Sequence, residues 1–496
     1  MLLLFLIAPG PFLEVTKAQC GVEERETIMP PALEPWDYFG NALAVSGDVA
    51  VVGAHGNDDL GREAGAAFIL RFTGGSWTQE ARLLAPGGTD VDTFGLAVDA
   101  DGDWVVIGAP RHDDTGAVFV YRWDGAEWGL HAELHASDGQ PFDAFGVSVS
   151  IVGDLIFVGA DAADDLVDDA GAVYVFRREG GAWAQEAKLS TGLADRTRFG
   201  RAIDAVADGV VIGSWIESGT GPRWGVVEVY RHTVNGWVVE ATLRPSDPVE
   251  NDGFGGSISL DGAKVLIGAR GAGAAYVFRR DAGVWREDSK LTPGVQNPGV
   301  LFGDSVDLED NLAVIGAPGS STSAGAAFAF RKYGPSWALI ESFAPSNGSD
   351  RDDFGAAVGV RGDAALIGAP RHDESGENAG AVFGFTIGDR LWLEVTADCP
   401  SGGVGVASWI CATPSGAVAL FFARESGSIT IPTGRRCAGA TLDLAFSSLQ
   451  LVGSNLPSDP NGAGQHVIIL PAAACGGRLQ LIDLETCAVS NVARIE

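Results

Sequence analysis

The stretch "FGLAVDADGDWVVIGAP" runs from Phe94 to Pro110. It opens on a Phe-Gly pair, passes three aspartates (Asp99, Asp101, Asp103) and closes on an apolar run ending Gly-Ala-Pro. Phe-Gly pairs recur at Phe39, Phe94, Phe145, Phe199, Phe254, Phe302 and Phe354, spaced by 55, 51, 54, 55, 48 and 52 residues. Thirteen residues after the glycine of each pair stands another: Gly53, Gly108, Gly159, Gly213, Gly268, Gly316 and Gly368. An interval that holds through seven copies while the repeat length drifts is a structural ruler, and its period marks a repeat architecture.

A third glycine opens an apolar run in each copy, as in "GAAFILRF" at Gly65, "GAVFVYRW" at Gly116 and "GAVFGFTI" at Gly380. A tryptophan then marks a fourth segment at Trp77, Trp128, Trp183, Trp237, Trp285 and Trp337, 16 or 17 residues before the next Phe-Gly. Short β-branched and aromatic segments between Gly/Asp turns read as strands, four per unit, in an antiparallel meander. Their faces are apolar on both sides, so each small sheet needs cover on both. Stacking seven sheets around an axis supplies it, and closing the ring leaves few exposed edges. Glycine and alanine in the first two strands suit the crowded inner positions. The expectation is an all-β chain: a seven-bladed β-propeller over 19–390, then a small β-sandwich-like domain over 391–496.

These motifs resemble the FG-GAP repeat family, found in integrin α-subunit propellers and in many secreted bacterial proteins. The resemblance covers roughly residues 20 to 390 and implies the propeller fold and an extracellular binding role. In integrin-like repeats a calcium loop lies between the Phe-Gly and Gly-Ala-Pro strands. Calcium takes six to eight oxygens from a loop of about a dozen residues. Here the thirteen-residue interval must hold two strands, which leaves two or three residues for a turn. The aspartates of the opening stretch therefore read as a hairpin turn, and no cofactor is expected. "RGD" at Arg361, Gly362 and Asp363 occupies the same turn, and turn chemistry explains it. Asp37, Asp92, Asp143, Asp252 and Asp352, each two before a Phe, read as Asx-type turns.

The ring needs a seventh outer strand. Trp392 lies at the right distance, but "RLWLEVTADCPSG" reads as the first strand of the tail. "RETIMPPALEPWDYFG" before Phe39 parallels "EARLLAPGGTDVDTFG" before Phe94, so the N-terminal strand, about Glu24 to Met29, is expected to complete the last blade. The tail resembles a β-rich module of secreted proteins from planctomycete-like bacteria. That resemblance maps its usual four cysteines onto Cys399, Cys437, Cys475 and Cys487. Cys20 and Cys411 are additional and able to bridge each other; the connectivity of the four is open.

Residues 1–18, apolar and ending in small residues at Thr16 and Ala18, read as a secretory leader. An exported chain favours disulfides, and no Cys-x-x-Cys spacing points to zinc. A formal charge of −32 disfavours nucleic acid and anionic lipid. No segment is long and apolar enough to span a bilayer, and a monomer is expected.

The loops after the Gly-Ala strands vary most. Blade 1 carries His55, Asp58, Asp59 and Glu63; blade 2 carries Arg111, His112, Asp113 and Asp114. Blade 3 has Asp161, Asp164, Asp165, Asp168 and Asp169, and blade 7 has Arg371, His372, Asp373, Glu374 and Glu377, whereas blades 4 to 6 have only Glu217. Ring closure makes blades 7, 1, 2 and 3 neighbours, so an acidic crescent on one rim is the candidate ligand surface; solvated loops are the simpler alternative. No nucleophile elbow, His-Glu-x-x-His or phosphate loop is present. The reading is a secreted, non-catalytic binding or adhesion module for an unidentified protein or glycan at the cell surface. The alternatives are a structural envelope or matrix component and, third, a hydrolase with its site in the propeller channel.

Overall fold

The computed structural model describes residues 21–164, 169–191, 197–214, 224–293, 301–319, 324–333 and 336–388. In the tail it describes 392–396, 403–410, 417–423, 426–430, 441–444, 450–457, 464–470, 478–483 and 493–494. The chain divides into two compact units, one of Glu24–Lys332 with Ser336–Ile387, the other chiefly Gly388–Glu496.

The larger unit is a seven-bladed β-propeller of four-stranded antiparallel sheets. Blade 1 runs Leu43–Ser46, Val49–Ala54, Ala66–Thr73 and Ser76–Leu83. Blades 2 to 6 repeat this order, each beginning at its own Phe-Gly, and the first strands form the inner ring, with blade 7 against blade 1. Blade 7 takes Ala357–Arg361, Ala364–Ala369 and Ala381–Gly388 from the end of the repeats and Gly21–Ile28 from the start of the chain. The sequence places that closing strand at about Glu24 to Met29; it begins earlier and ends one residue sooner.

Two positions show why Gly21–Ile28 fits. Ile28 stands eleven residues before Phe39, as Leu83, Leu134, Leu243, Leu291 and Phe343 stand before their own next Phe, and all six are buried. Four residues before Ile28, the carboxylate of Glu24 accepts the Ser346 N–H (2.8 Å) and hydroxyl (2.9 Å). Glu287, four before Leu291, holds Ser246 in the same way (2.8 and 2.8 Å), and Gln185 takes the Ser137 N–H (3.0 Å). Each is an outer strand gripping the loop that leaves the preceding blade.

The constant interval is explained at the seams. A Cβ on Gly108 would collide with the carbonyl oxygen of Gly146, the glycine of the next Phe-Gly pair; Gly53 meets Gly95 likewise, and Gly368 meets Gly40 across the closure. Adjacent blades thus touch backbone to backbone, and only glycine allows the approach. Above each seam lies an inter-blade core. Val51 and Ile69 of blade 1 pack with Phe94, Ile107 and Phe119 of blade 2, all fully buried, and the ring of Phe94 meets Phe119 edge-on at 5.4 Å.

The turns inside the interval are two residues long. Asp101 pairs with Trp104 across Gly102 and Asp103, and Gly102 has φ +58°, the conformation for which hairpin turns select glycine. In the tail, Trp392–Thr396 pairs with Gly403–Ile410 and belongs to a separate sheet, as the sequence suggests. How the tail's three small sheets pack, all six cysteines (Cys20, Cys399, Cys411, Cys437, Cys475, Cys487) and the leader lie outside the described residues.

Candidate functional site

One face of the propeller carries the loops between second and third strands together with the approach to each Phe-Gly. The two are stitched to each other. The N–H groups of Trp36, Tyr38 and Phe39 donate to the carbonyls of Glu377, Asn378 and Ala379 in blade 7 (2.8, 3.1 and 3.0 Å). Those of Val91, Thr93 and Phe94 do the same to blade 1. This zipper forces left-handed backbone on residues without the freedom of glycine, among them Trp36, Tyr38, Val91, Thr93, Phe142 and Ala144 (φ 56° to 75°).

The aspartates before each Phe hold the approach loop from within. Asp37, Asp92, Asp143 and Asp352 are buried, and each accepts the N–H three residues back, on Glu34, Thr89, Gln140 and Ser349 (2.7 to 2.9 Å). That bond runs backwards rather than forwards as in an Asx turn; Asp252, accepting the Phe254 N–H at 3.0 Å, makes the forward one. The second carboxylate role falls to the residue twenty positions on. His112 Nδ1 donates to Asp92 (2.9 Å), His372 Nδ1 to Asp352 (2.9 Å), and Asn57 Nδ2 to Asp37 (3.1 Å). A carboxylate only accepts, so each imidazole carries its proton on Nδ1. His112 and His372 are 5% and 3% exposed, so these candidate ligands are keystones of the loop.

The remaining crescent residues are mostly tied within their own loops. Asp58, Asp164 and Asp373 each accept the N–H five residues on, from Glu63, Asp169 and Asn378 (2.6, 2.8 and 2.7 Å). Asp59 pairs with Arg82, and Glu374 accepts from Asn347 (2.6 Å). His55 stacks on Tyr38 at 5.2 Å; burial and the Arg111 charge push it down to about 4, so it is neutral. Asp113 and Asp114 sit in a short helical turn with left-handed φ of 48° and 64°, and the Asp113 side chain is 74% exposed. Beside them the ring of Phe142 is 81% exposed, and its N–H donates to the Asp114 carbonyl (2.8 Å). Asp165, Asp168 and Glu217 lie outside the described residues.

The three aspartates of the opening stretch divide between two roles. Asp103 is in the turn. Asp99 and Asp101 lie in the inner strand and reach the next blade, where they accept the N–H groups of Ile151 (2.7 Å) and Gly153 (2.7 Å). Asp204 and Asp307, at the position of Asp99 in blades 4 and 6, accept from Leu260 (2.6 Å) and Val360 (2.7 Å). These amides lie on the axial edge of the inner ring, where no strand satisfies them. Burial pushes Asp99 up to about 7, and burial with the neighbouring Asp99 and Asp307 charges pushes Asp204 up to about 8. Burial also raises Asp307. Among the described residues no group of three or more His, Cys, Asp or Glu side chains is placed to hold a metal ion. The Arg-Gly-Asp turn is also engaged: Arg361 Nε donates to the Gly47 carbonyl (2.6 Å) and Asp363 pairs with Arg331 (2.9 Å).

The model of the FG-GAP repeat matches residues 23–70, 77–121, 128–176, 237–278, 285–330 and 337–385, more than half of the chain. The chain belongs to the FG-GAP repeat family. Phe199 falls between matched stretches, yet its FG-GAP blade has the same four strands as the rest. No curated protein matches the chain. Among solved structures it is similar to a candidate 6-phosphogluconolactonase from Bacteroides uniformis (TM-score 0.45, 12% identity, 65% of this chain and 89% of that one). It is also similar to Sqt1 of Chaetomium thermophilum (TM-score 0.43, 14% identity, 71% and 96%). At that distance neither likeness bears on activity. Among the described residues no helix is long and apolar enough to cross a membrane.

Proposed function

We propose that this FG-GAP propeller is a secreted, non-catalytic binding module of the adhesion type, similar in role to integrin propellers. It works as a monomer, and a disulfide-linked, sandwich-like tail of the planctomycete-associated kind follows it. The observation that carries the reading is Phe142. The fold holds a large aromatic residue out into water, on a left-handed backbone bonded through its N–H to the carbonyl of Asp114, in the acidic turn that carries Asp113 and Asp114. Strained backbone that the surroundings over-determine often marks a functional surface. An aromatic anchor next to a charged rim is the anatomy of a protein-binding hot spot. The partner is a cell-surface protein presenting an apolar hollow edged by Lys or Arg.

An array of extracellular proteins and glycans, probed with the full chain at two salt concentrations, tests this. A Phe142→Ser, Asp113→Asn, Asp114→Asn variant is expected to bind its hit at least about tenfold more weakly, since an interface aromatic contributes about 2 kcal/mol or more, and with a shallower salt dependence. Val234→Ser, in the Thr233–Gly236 turn of the opposite face, should bind like the native chain. No hit, or a hit indifferent to the triple variant, contradicts the reading. Turnover in a hydrolase panel would favour the channel-enzyme alternative instead.

A further inference from the structure

At four blade junctions an outer-strand carboxylate accepts the indole N–H of the next blade's tryptophan. The pairs are Glu80 with Trp128 (2.9 Å), Glu186 with Trp237 (3.2 Å), Glu240 with Trp285 (3.3 Å) and Asp288 with Trp337 (3.3 Å). The closing junction departs from this. Glu26 of the N-terminal strand takes the backbone N–H of Trp77 with both oxygens (3.0 and 3.2 Å). Among the described residues the Trp77 indole N–H has no acceptor. Blade 7 is also thinned here. Its third strand has Gly384 at the register held by Ile69, Val120, Val175, Val229 and Val277 in blades 1 to 5. The result is a cavity of about 310 Å³ walled on its aromatic side by Phe72 and Trp77, with Arg25, Glu26 and Thr386 supplying polar atoms.

From this geometry we propose that the blade 7–blade 1 pocket binds a single neutral pyranose ring, such as the end residue of a glycan. The volume lies at the lower bound of small-ligand pockets, about 300 to 1,000 Å³, which suits one ring rather than a chain. The pocket holds one cation and one anion, so a charged ligand would face a like charge. A wholly apolar ligand would strip water from Glu26 and from the Trp77 N–H without replacing their bonds. A sugar ring meets both demands: its C–H face lies on aromatic planes, and its hydroxyls both donate and accept. This site is separate from the Phe142 surface and does not rest on it.

The test uses the full chain and methyl pyranosides of glucose, galactose, mannose and N-acetylglucosamine, followed by saturation-transfer NMR and titration. At least one should bind saturably. Gly384→Val, which restores the residue of four other blades, should weaken binding at least tenfold by filling the pocket. Trp77→Phe should weaken it severalfold by removing the indole donor together with part of the aromatic face, and decides the matter if the valine variant does not fold. The Phe142 triple variant should bind sugar like the native chain. No saturable binding by any of the four, or binding untouched by a folded pocket variant, overturns the proposal.

Discussion

Asp99, Asp204 and Asp307 show how much one position can carry. Each replaces the missing strand at the axial edge by taking a single N–H from the next blade, and each does so at a desolvation cost that raises its carboxyl. The folded state then holds protons that the unfolded chain releases. Below about pH 4 both states are protonated and nothing is lost. Between about 4 and 8 the unfolded carboxyls ionise while the folded ones stay protonated, so stability falls as pH rises through that window. Above about 8 the loss is complete. The melting temperature is therefore expected to drop between pH 5 and 8, and Asp204→Asn, which keeps an acceptor for Leu260, should flatten the slope. An unchanged slope in thermal scans would show that Asp204 does not titrate there. These roles are hidden in the sequence because the position reads Asp, Ser, Ala or Gly from blade to blade, and because Asp-x-Asp-Gly-Asp looks like a turn. The histidine keystones were more legible: Asp37–Asn57, Asp92–His112 and Asp352–His372 share one spacing of twenty residues. A search for long-range pairs at constant offset finds them; a search for exposed rim ligands does not.

At the scale of the element, the seam glycines are the part of the fold that the sequence displays openly. Their interval cannot drift because each must meet the backbone of the neighbouring blade. Gly108→Ala would place a methyl against the Gly146 carbonyl and pry two blades apart, with an expected loss of about 3 kcal/mol or more. Gly129 is the matched control: it lies in an outer strand with no atom within 4 Å of its would-be Cβ, so Gly129→Ala should be neutral or slightly stabilising. Urea denaturation of both variants checks the contrast, and equal losses would mean that close approach is not what selects glycine at the seams. The loops between these strands vary freely in sequence, which is why the acidic crescent stands out among them. Their aspartates turn out to serve loop closure in blades 1, 3 and 7, a use that composition alone cannot distinguish from ligand binding.

On the scale of the whole molecule, seven repeats make a ring only if its last sheet is completed from the other end of the chain. The parallel between "RETIMPPALEPWDYFG" and the segment before Phe94 is enough to place that strand, because the outer-strand apolar residue keeps its distance from the next Phe. The bonds of Glu24 to Ser346 and of Glu26 to Trp77 then tie blade 6, blade 7 and blade 1 together through eight residues. Closure also positions the proposed sugar pocket, which is the closing junction itself. Thermal unfolding of a chain lacking Gly21–Ile28 measures this dependence directly. Loss of the strand should open the edge of Ala381–Gly388 and lower the melting temperature by about 10 °C or more, with aggregation through the bared edge. A melting temperature equal to that of the intact chain would contradict the closed ring.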